Sequence, residues 1–90
     1  MQNRSFIQNP DFVIEDMEGE LLLYRPGTHK AIFLNETAAV VWKLCDGTRT
    51  VNEIALLLGR SFPESATGIS ADVQQAVEML SSEGAVLEAT

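Results

Sequence analysis

The chain has 90 residues and a net charge of −7, and 46% of its residues are hydrophobic. This length predicts one domain with a small core, and this apolar content excludes a disordered chain. The acidic balance argues against nucleic acid and anionic membranes as partners, and favours a basic peptide or the basic face of another protein. No apolar run is long enough for a signal peptide or a membrane span, so the sequence predicts a soluble cytoplasmic protein.

Three short apolar runs predict an antiparallel meander early in the chain. They follow a polar stretch over residues 1–10, which is interpreted as a flexible arm ahead of a domain of residues 11–88. The predicted strands are residues 12–15, 21–24 and 30–34. Gly19 lies in the first turn, and residues 25–28 (Arg-Pro-Gly-Thr) match a type II turn. Connections this short place consecutive strands side by side.

The hydrophobic period changes at Asn35, which predicts that helices follow the strands. Asn35 is a good N-cap, and the apolar repeat after it, which includes Trp42, is expected to end at residues 46–47. Residues 50–53 (Thr-Val-Asn-Glu) have the spacing of a capping box, which predicts the start of a second helix. Gly59 can end that helix.

A third helix is predicted near the end of the chain. Residues 60–68 contain a proline and are interpreted as a loop, and Thr67 or Ser70 is expected to cap the helix that follows. Gly84 ends it, and residues 85–88 form a short extended tail. Strands followed by helices predict an α+β fold. The expected architecture is winged-helix-like, with a three-stranded antiparallel meander followed by three α-helices.

The sequence offers no constellation for catalysis, for a metal or for a cofactor. His29, the only histidine, is expected in a turn, and Cys45, the only cysteine, lies on the apolar face of the first helix. Core packing is favoured over reactivity for that thiol, and a general base needs a positioned partner that His29 lacks. Neither an enzyme nor a zinc site is therefore expected, and no cofactor.

The third helix argues against DNA binding, although its place in the fold is that of a recognition helix. Residues 71–80 contain no lysine and no arginine. Phosphate contacts and guanine readout both depend on those two residue types. The likeness of fold therefore remains, while the chemistry of DNA binding is missing.

An open sheet edge is the most informative surface that remains. The third strand lies at one edge of the meander, and such edges recruit extended peptides as an added strand. The third helix is expected to pack near this edge with Gln75, Ala76 and Met79 on its flank, although Met79 can equally be a half-buried packing residue. Leu56 and Leu57 lie off the main stripe of the second helix and either cover the sheet or face a partner.

Several motifs give a resemblance to a known family. Residues 33–39 (Phe-Leu-Asn-Glu-Thr-Ala-Ala) run into residues 41–47 (Val-Trp-Lys-Leu-Cys-Asp-Gly), and residues 50–55 (Thr-Val-Asn-Glu-Ile-Ala) follow. Farther along the matching positions are Ile69, Asp72, Val73, Leu80 and Gly84. Over most of its length, from residue 12 to residue 87, the chain resembles the PqqD-like proteins, named after pyrroloquinoline quinone synthesis protein D.

The resemblance implies a RiPP recognition element, a domain that binds the leader of a ribosomally made precursor peptide. The leader is expected to add as a fourth strand to the third strand and to lie against the third helix. The resemblance also implies a peptide chaperone without catalysis of its own, which serves a separate or fused modifying enzyme, often a radical S-adenosylmethionine (radical SAM) protein. The candidate peptide-binding residues are Lys30, Ala31, Ile32, Phe33, Leu34, Asp72, Gln75, Ala76 and Met79.

Two other functions stay open on the residues alone. One is an adaptor domain that binds only another protein and carries no peptide, and the other is a winged-helix transcription regulator, which the acidic third helix disfavours. The family motifs mark the fold more than the cargo, so pyrroloquinoline quinone (PQQ) biosynthesis is one of several peptide pathways that the resemblance allows. A monomer or weak homodimer is expected, with neither nucleic acid nor a membrane as partner.

Overall fold

The computed structural model describes residues 4–61 and 66–89. Within these residues strands and helices both occur, so the predicted α+β class is confirmed. In chain order the elements are β1 (Ser5–Gln8), β2 (Val13–Met17), β3 (Glu20–Tyr24), β4 (Ala31–Leu34), α1 (Glu36–Leu44), β5 (Asp46–Thr50), α2 (Val51–Ser61), α3 (Ala66–Ser82) and β6 (Val86–Glu88).

The predicted meander is present as an antiparallel sheet with the strand order β2-β3-β4. Glu18 and Gly19, with φ angles of 59° and 96°, make the tight turn between β2 and β3. Between β3 and β4, the backbone N–H of Thr28 donates to the carbonyl of Arg25 at 3.2 Å. Gly27 has a φ of 85°, which the third position of the predicted type II turn requires.

The flexible arm predicted for residues 1–10 is wrong where the structure describes that segment. Ser5–Gln8 is the central strand of a second sheet, whose order is β5-β1-β6. Phe6 on this strand is 3% exposed and belongs to the core. The extended tail predicted at residues 85–88 is the strand β6, which pairs antiparallel with β1. These pairings join segments that are distant along the chain, so the pattern of either segment alone does not reveal them.

The helix starts predicted at Asn35 and Thr50 are confirmed by their hydrogen bonds. The Asn35 side chain accepts from the backbone N–H of Ala38 at 2.9 Å. The Thr50 hydroxyl accepts from the N–H of Glu53 at 3.2 Å, and the Glu53 carboxylate accepts from the N–H of Thr50 at 2.8 Å. This reciprocal pair is the capping box, and it satisfies two donors that the start of a helix leaves free.

The predicted end of the first helix at residues 46–47 is wrong, because α1 stops at Leu44. The side-chain amide of Gln8 donates to the carbonyl of Trp42 at 3.0 Å, and the Gln8 backbone N–H donates to the carbonyl of Cys45 at 3.0 Å. Strand β1 therefore satisfies carbonyls at the end of the helix. Gly47 has a positive φ, at 87°, and it lies in β5 beside β1.

The predicted boundaries between the second and third helices are also wrong. Helix α2 continues past Gly59 to Ser61, and α3 already includes residues 66–70, so neither Thr67 nor Ser70 is an N-cap. The middle of the predicted loop, residues 62–65, lies outside the described residues. A Cβ atom at Gly59 would lie 3.7 Å from a methyl group of Ile69. This is an ordinary van der Waals distance, and it is the packing of α2 on α3 as a whole that overrides the weak helix propensity of glycine.

The core lies between the meander and the helices. One face of the sheet contributes side chains that are almost completely buried: Leu21, Leu23, Ile32 and Leu34. Helix α1 packs on β3 and β4 and contributes Trp42, which is 4% exposed, as predicted for a core residue. Cys45 is fully buried in the same cluster. In the described part of the chain, no helix is both long and apolar enough to cross a membrane.

Candidate functional site

Strand β4 has one free backbone edge. Within the described residues it is hydrogen-bonded to β3 on one side and is the last strand of the sheet on the other. Its side chains alternate, with Ile32 and Leu34 buried and Ala31 and Phe33 exposed. Phe33 is 54% exposed, which is unusual for a phenylalanine. This edge is the one that the sequence analysis proposed for peptide addition.

The direction of each backbone donor along β4 follows from one hydrogen bond. The N–H of Arg25 donates to the carbonyl of Lys30 at 3.4 Å, and these residues stand opposite each other in the register that pairs Tyr24 with Ala31. Donors alternate between the two sides of an antiparallel strand. The N–H groups of Ile32 and Leu34 therefore point to β3. Those of Ala31 and Phe33 point to the free edge.

A groove between α1 and α3 continues from the end of β4. Its volume is about 340 Å³. Its lining consists of Asp72, Gln75, Ala76 and Met79 from α3 together with Asn35, Thr37 and Ala38 at the start of α1. All four α3 residues predicted for the site are thus brought together on one wall. The α1 wall was missed by the sequence analysis, although Asn35 directly follows β4 and its N-capping pattern was recognised.

Lys30 connects the other end of β4 to α3. Its ammonium group lies 3.1 Å from the Glu83 carboxylate and 3.3 Å from the Glu83 carbonyl oxygen, just beyond the last turn of α3. Lys30 therefore holds the start of β4 close to the end of α3, and Asn35, which directly follows β4, lies at the groove between α1 and α3. The predicted residues Lys30–Leu34 form the strand edge beside the helix and do not line the groove.

Met79 combines the two roles that the sequence left open. Its side chain is partly buried and packs against the core, and it also lines the groove. A flexible thioether at such a position can adjust to different neighbouring side chains. Ala76 beside it is likewise half-buried against the core and leaves room in the groove. Ala76 and Met79 therefore give the groove part of its apolar surface, and Asp72 and Gln75 are exposed at its wall.

A smaller cavity of about 210 Å³ lies on the other side of α3, and sequence reasoning did not anticipate it. It is lined by Arg4, Phe6, Val51, Gln74, Val77, Glu78, Ser81 and Ser82. The Arg4 guanidinium lies 5.0 Å from the Phe6 ring centre and 2.9 Å from the Glu88 carboxylate. This hydrogen-bonded ion pair lowers the pKa of Glu88, and it already engages the cation that could otherwise meet a ligand.

Cys45 and His29 are the two side chains that the sequence analysis weighed for reactivity. Burial, with a smaller contribution from the charge of Asp46, raises the pKa of the Cys45 thiol to about 12. A thiol that keeps its proton at neutral pH is a poor nucleophile. His29 is exposed in the turn before β4. Over residues 4–61 and 66–89 there is no group of three His, Cys, Asp or Glu side chains that could hold a metal ion.

The sequence matches the model of a known family over most of its length. The family model for coenzyme PQQ synthesis protein D (PqqD) matches residues 20–86, which include β3, β4, all three helices and the groove. The chain belongs to the PqqD family. This confirms the resemblance drawn from the motifs around Asn35 and Thr50.

Individual relatives agree with this assignment. The chain is 40% identical over 62 residues to a PqqA binding protein of Klebsiella pneumoniae strain 342, and the match covers 69% of this chain and 63% of that protein. A second PqqA binding protein of Klebsiella pneumoniae is 45% identical over 56 residues, covering 62% of this chain and 56% of the relative. The matches thus span less than two thirds of the length of each relative.

A solved structure shares the fold at low sequence identity. It is that of TbiB1 in complex with the TbiA(beta) leader peptide. The superposition has a TM-score of 0.73 and covers 89% of this chain and 93% of TbiB1, with 14% sequence identity. The likeness at this identity concerns the fold, and it extends to nearly the whole of both chains.

Proposed function

We propose that the chain binds the leader of a ribosomally made precursor peptide, which it presents to a modifying enzyme. The observation that carries this proposal is the free edge of β4 beside the groove of α3. The names of the two curated relatives, which are PqqA binding proteins, support it, as does the leader peptide in the complex of the structural relative. The domain itself supplies binding and no chemistry in this proposal.

The backbone of β4 supplies most of the affinity. Ala31 and Phe33 direct their N–H and C=O groups away from β3, so an extended segment can complete the ladder as a fourth strand. Backbone bonds of this kind do not depend on the sequence of the peptide. They explain how one fold can serve peptides with different leaders.

The groove determines which leaders bind well. Alternate side chains of an added strand point to one face, where the apolar surface of Ala76 and Met79 can receive them. Asp72 adds a carboxylate at the wall, and the chain as a whole carries a net charge of −7. A leader with apolar side chains at alternate positions and a basic residue near Asp72 fits this surface best.

Amide NMR tests the proposal. The ¹⁵N-labelled protein is titrated with the synthetic leader of the precursor peptide encoded with this chain, and a scrambled leader of the same composition is the control. Shifts are expected at Ala31–Leu34 and at residues 72–79, and the scrambled peptide is expected to need a clearly higher concentration for any shift, because it lacks the side-chain pattern that fits the groove. Shifts confined to β2, at the opposite edge of the sheet, contradict the proposed docking site. An absence of any shift with the true leader contradicts the proposed function itself.

A further inference from the structure

The face of the meander that points away from the helices is apolar, although nothing in the described residues covers it. The register places Val13 beside Tyr24, and Glu15, Leu22 and Phe33 in one row across the three strands. Val13 is 38% exposed and Phe33 is 54% exposed. Met17, at the end of β2, is 43% exposed on the same face. We call the surface formed by Val13, Met17, Leu22, Tyr24 and Phe33 the outer face.

An antiparallel sheet with one face in solvent normally alternates apolar and polar residues. Strand β3 does not alternate, because its run of three leucines and a tyrosine is apolar on both faces. Leu21 and Leu23 are buried under the helices, which explains one face only. On the other face Leu22 and Tyr24 are half-buried, with Val13, Met17 and Phe33 exposed around them. Apolar side chains grouped in this way on one face of a small domain are a candidate site of interaction. The composition of β3 is that of a strand covered on both sides.

The charges on the outer face select the kind of partner. Its register positions carry two charged residues, Glu15 and Glu20, and both are acidic. A second copy of this chain would bring the same patch against itself in a two-fold interface, and that patch offers these carboxylates no basic side chain. Two chains of charge −7 would also repel each other. A partner whose apolar surface has basic residues around it fits the outer face, and a second copy fits it poorly.

We infer that the outer face is the docking surface for the peptide-modifying enzyme, through an apolar patch rimmed by basic residues. This inference rests on the proposed function and extends it, because the outer face adjoins the proposed peptide edge at Phe33. A leader strand added to β4 places every second side chain on this same face. The enzyme then touches the domain and the bound leader together. It therefore binds the domain more tightly when the leader is present.

Lysine substitutions on β2 test the docking surface without touching β4 or the groove. The variant carries Val13→Lys and Met17→Lys, and the matched control is Leu87→Lys on β6 of the second sheet, where the leucine is 47% exposed. The probe is the purified modifying enzyme encoded with the precursor peptide, measured by calorimetry with and without leader. The β2 variant is expected to bind the enzyme at least roughly tenfold more weakly, while the control binds like the wild type. Both are expected to bind the leader normally, which also shows that they are folded.

A charge variant separates electrostatics from packing and carries little risk of unfolding. Glu15→Lys on the outer face is expected to weaken enzyme binding and its dependence on salt, whereas Glu78→Lys on the far side of α3 is expected to change neither. Unchanged enzyme affinity in the β2 variant, or no binding of the enzyme to the wild type, overturns the inference. The inference is also overturned if sedimentation shows that the wild type is a dimer and that Val13→Lys dissociates it. The outer face would then be occupied by a second copy of the chain. In each of these cases leader binding persists. Loss of wild-type leader binding instead refutes the proposed function.

Discussion

Ala31 and Ile32 are adjacent in β4 and direct their backbone N–H groups to opposite sides of the strand. These directions follow from the hydrogen bond between Arg25 and Lys30, which shows that this facing pair is hydrogen-bonded. Hydrogen-bonded and non-hydrogen-bonded pairs alternate along an antiparallel ladder, so the next pair, Tyr24 and Ala31, is not hydrogen-bonded. Ile32 therefore donates within the sheet, whereas Ala31 donates to the free edge. Two neighbouring positions thus separate folding from the proposed binding.

Proline at these two positions is expected to have opposite effects. Proline removes the N–H and fixes φ. Ile32→Pro loses a ladder bond and a side chain that is 8% exposed, so the free energy of unfolding falls by at least about 3 kcal/mol. Ala31→Pro keeps the ladder and the melting temperature but loses leader binding. Circular dichroism melting and a leader titration on both variants measure the two effects. If both variants fold and bind leader like the wild type, β4 is not the docking edge.

The elements that sequence reasoning found are those with local causes. The type II turn at residues 25–28, the N-cap Asn35 and the capping box at Thr50 each depend on side chains a few residues apart. The second sheet has no such cause. Strand β5 reads Asp-Gly-Thr-Arg-Thr, which has the composition of a turn. It becomes a strand because β1, far away in the chain, pairs with it.

The parts of the candidate site that the sequence predicted are likewise those that depend on local patterns. The position of β4 as an edge strand followed from the meander, and the α3 flank followed from helical periodicity. The sequence did not show to which side of β4 each backbone N–H points, because that depends on which facing pairs of β3 and β4 are hydrogen-bonded. The outer face was also missed. The leucine run of β3 signals it, since both faces of that strand are apolar.

Phe6 should stabilise the domain although it lies in the segment that the sequence predicts as a flexible arm. Phe6 is 3% exposed, and Ile7 beside it on β1 is 44% exposed on the opposite face. Phe6→Ala is expected to lower the free energy of unfolding by about 3–5 kcal/mol. Ile7→Ala, the matched control, is expected to cost less than about 1 kcal/mol. Urea denaturation followed by circular dichroism compares them. Equal stability of the two variants would mean that β1 is not part of the folded core.

Trp42 offers a test of an unusual buried donor. Its side chain is 4% exposed, and its indole N–H has no hydrogen-bond partner among the described residues. Trp42→Ala removes a large core side chain and is expected to cost about 3–5 kcal/mol. Trp42→Phe keeps much of the apolar volume and removes an unsatisfied donor that itself costs about 1–3 kcal/mol when buried. It is therefore expected to be much milder than Trp42→Ala. Urea denaturation of both variants gives the difference, and a phenylalanine variant as unstable as the alanine variant would contradict this account.

Cys45 should make the stability of the domain fall in alkaline solution. Burial raises the pKa of its thiol to about 12, whereas an exposed thiol in the unfolded chain has a pKa of about 8.5. Between these values the unfolded chain binds fewer protons than the folded chain, so the free energy of unfolding decreases as the pH rises. The slope approaches about 1.4 kcal/mol per pH unit from this one group, and below about pH 8.5 its contribution is fully present.

Cys45→Ala isolates this contribution, because the remaining titratable groups are the same in both proteins. The variant is expected to be less stable at neutral pH, since a buried side chain is shortened, but to lose less stability between about pH 9 and pH 11. Urea denaturation at several pH values in this window measures the two slopes. The stability curves of wild type and variant should therefore converge as the pH rises. Parallel curves would mean that the thiol ionises as readily in the folded chain as in the unfolded one, and that Cys45 is accessible to water.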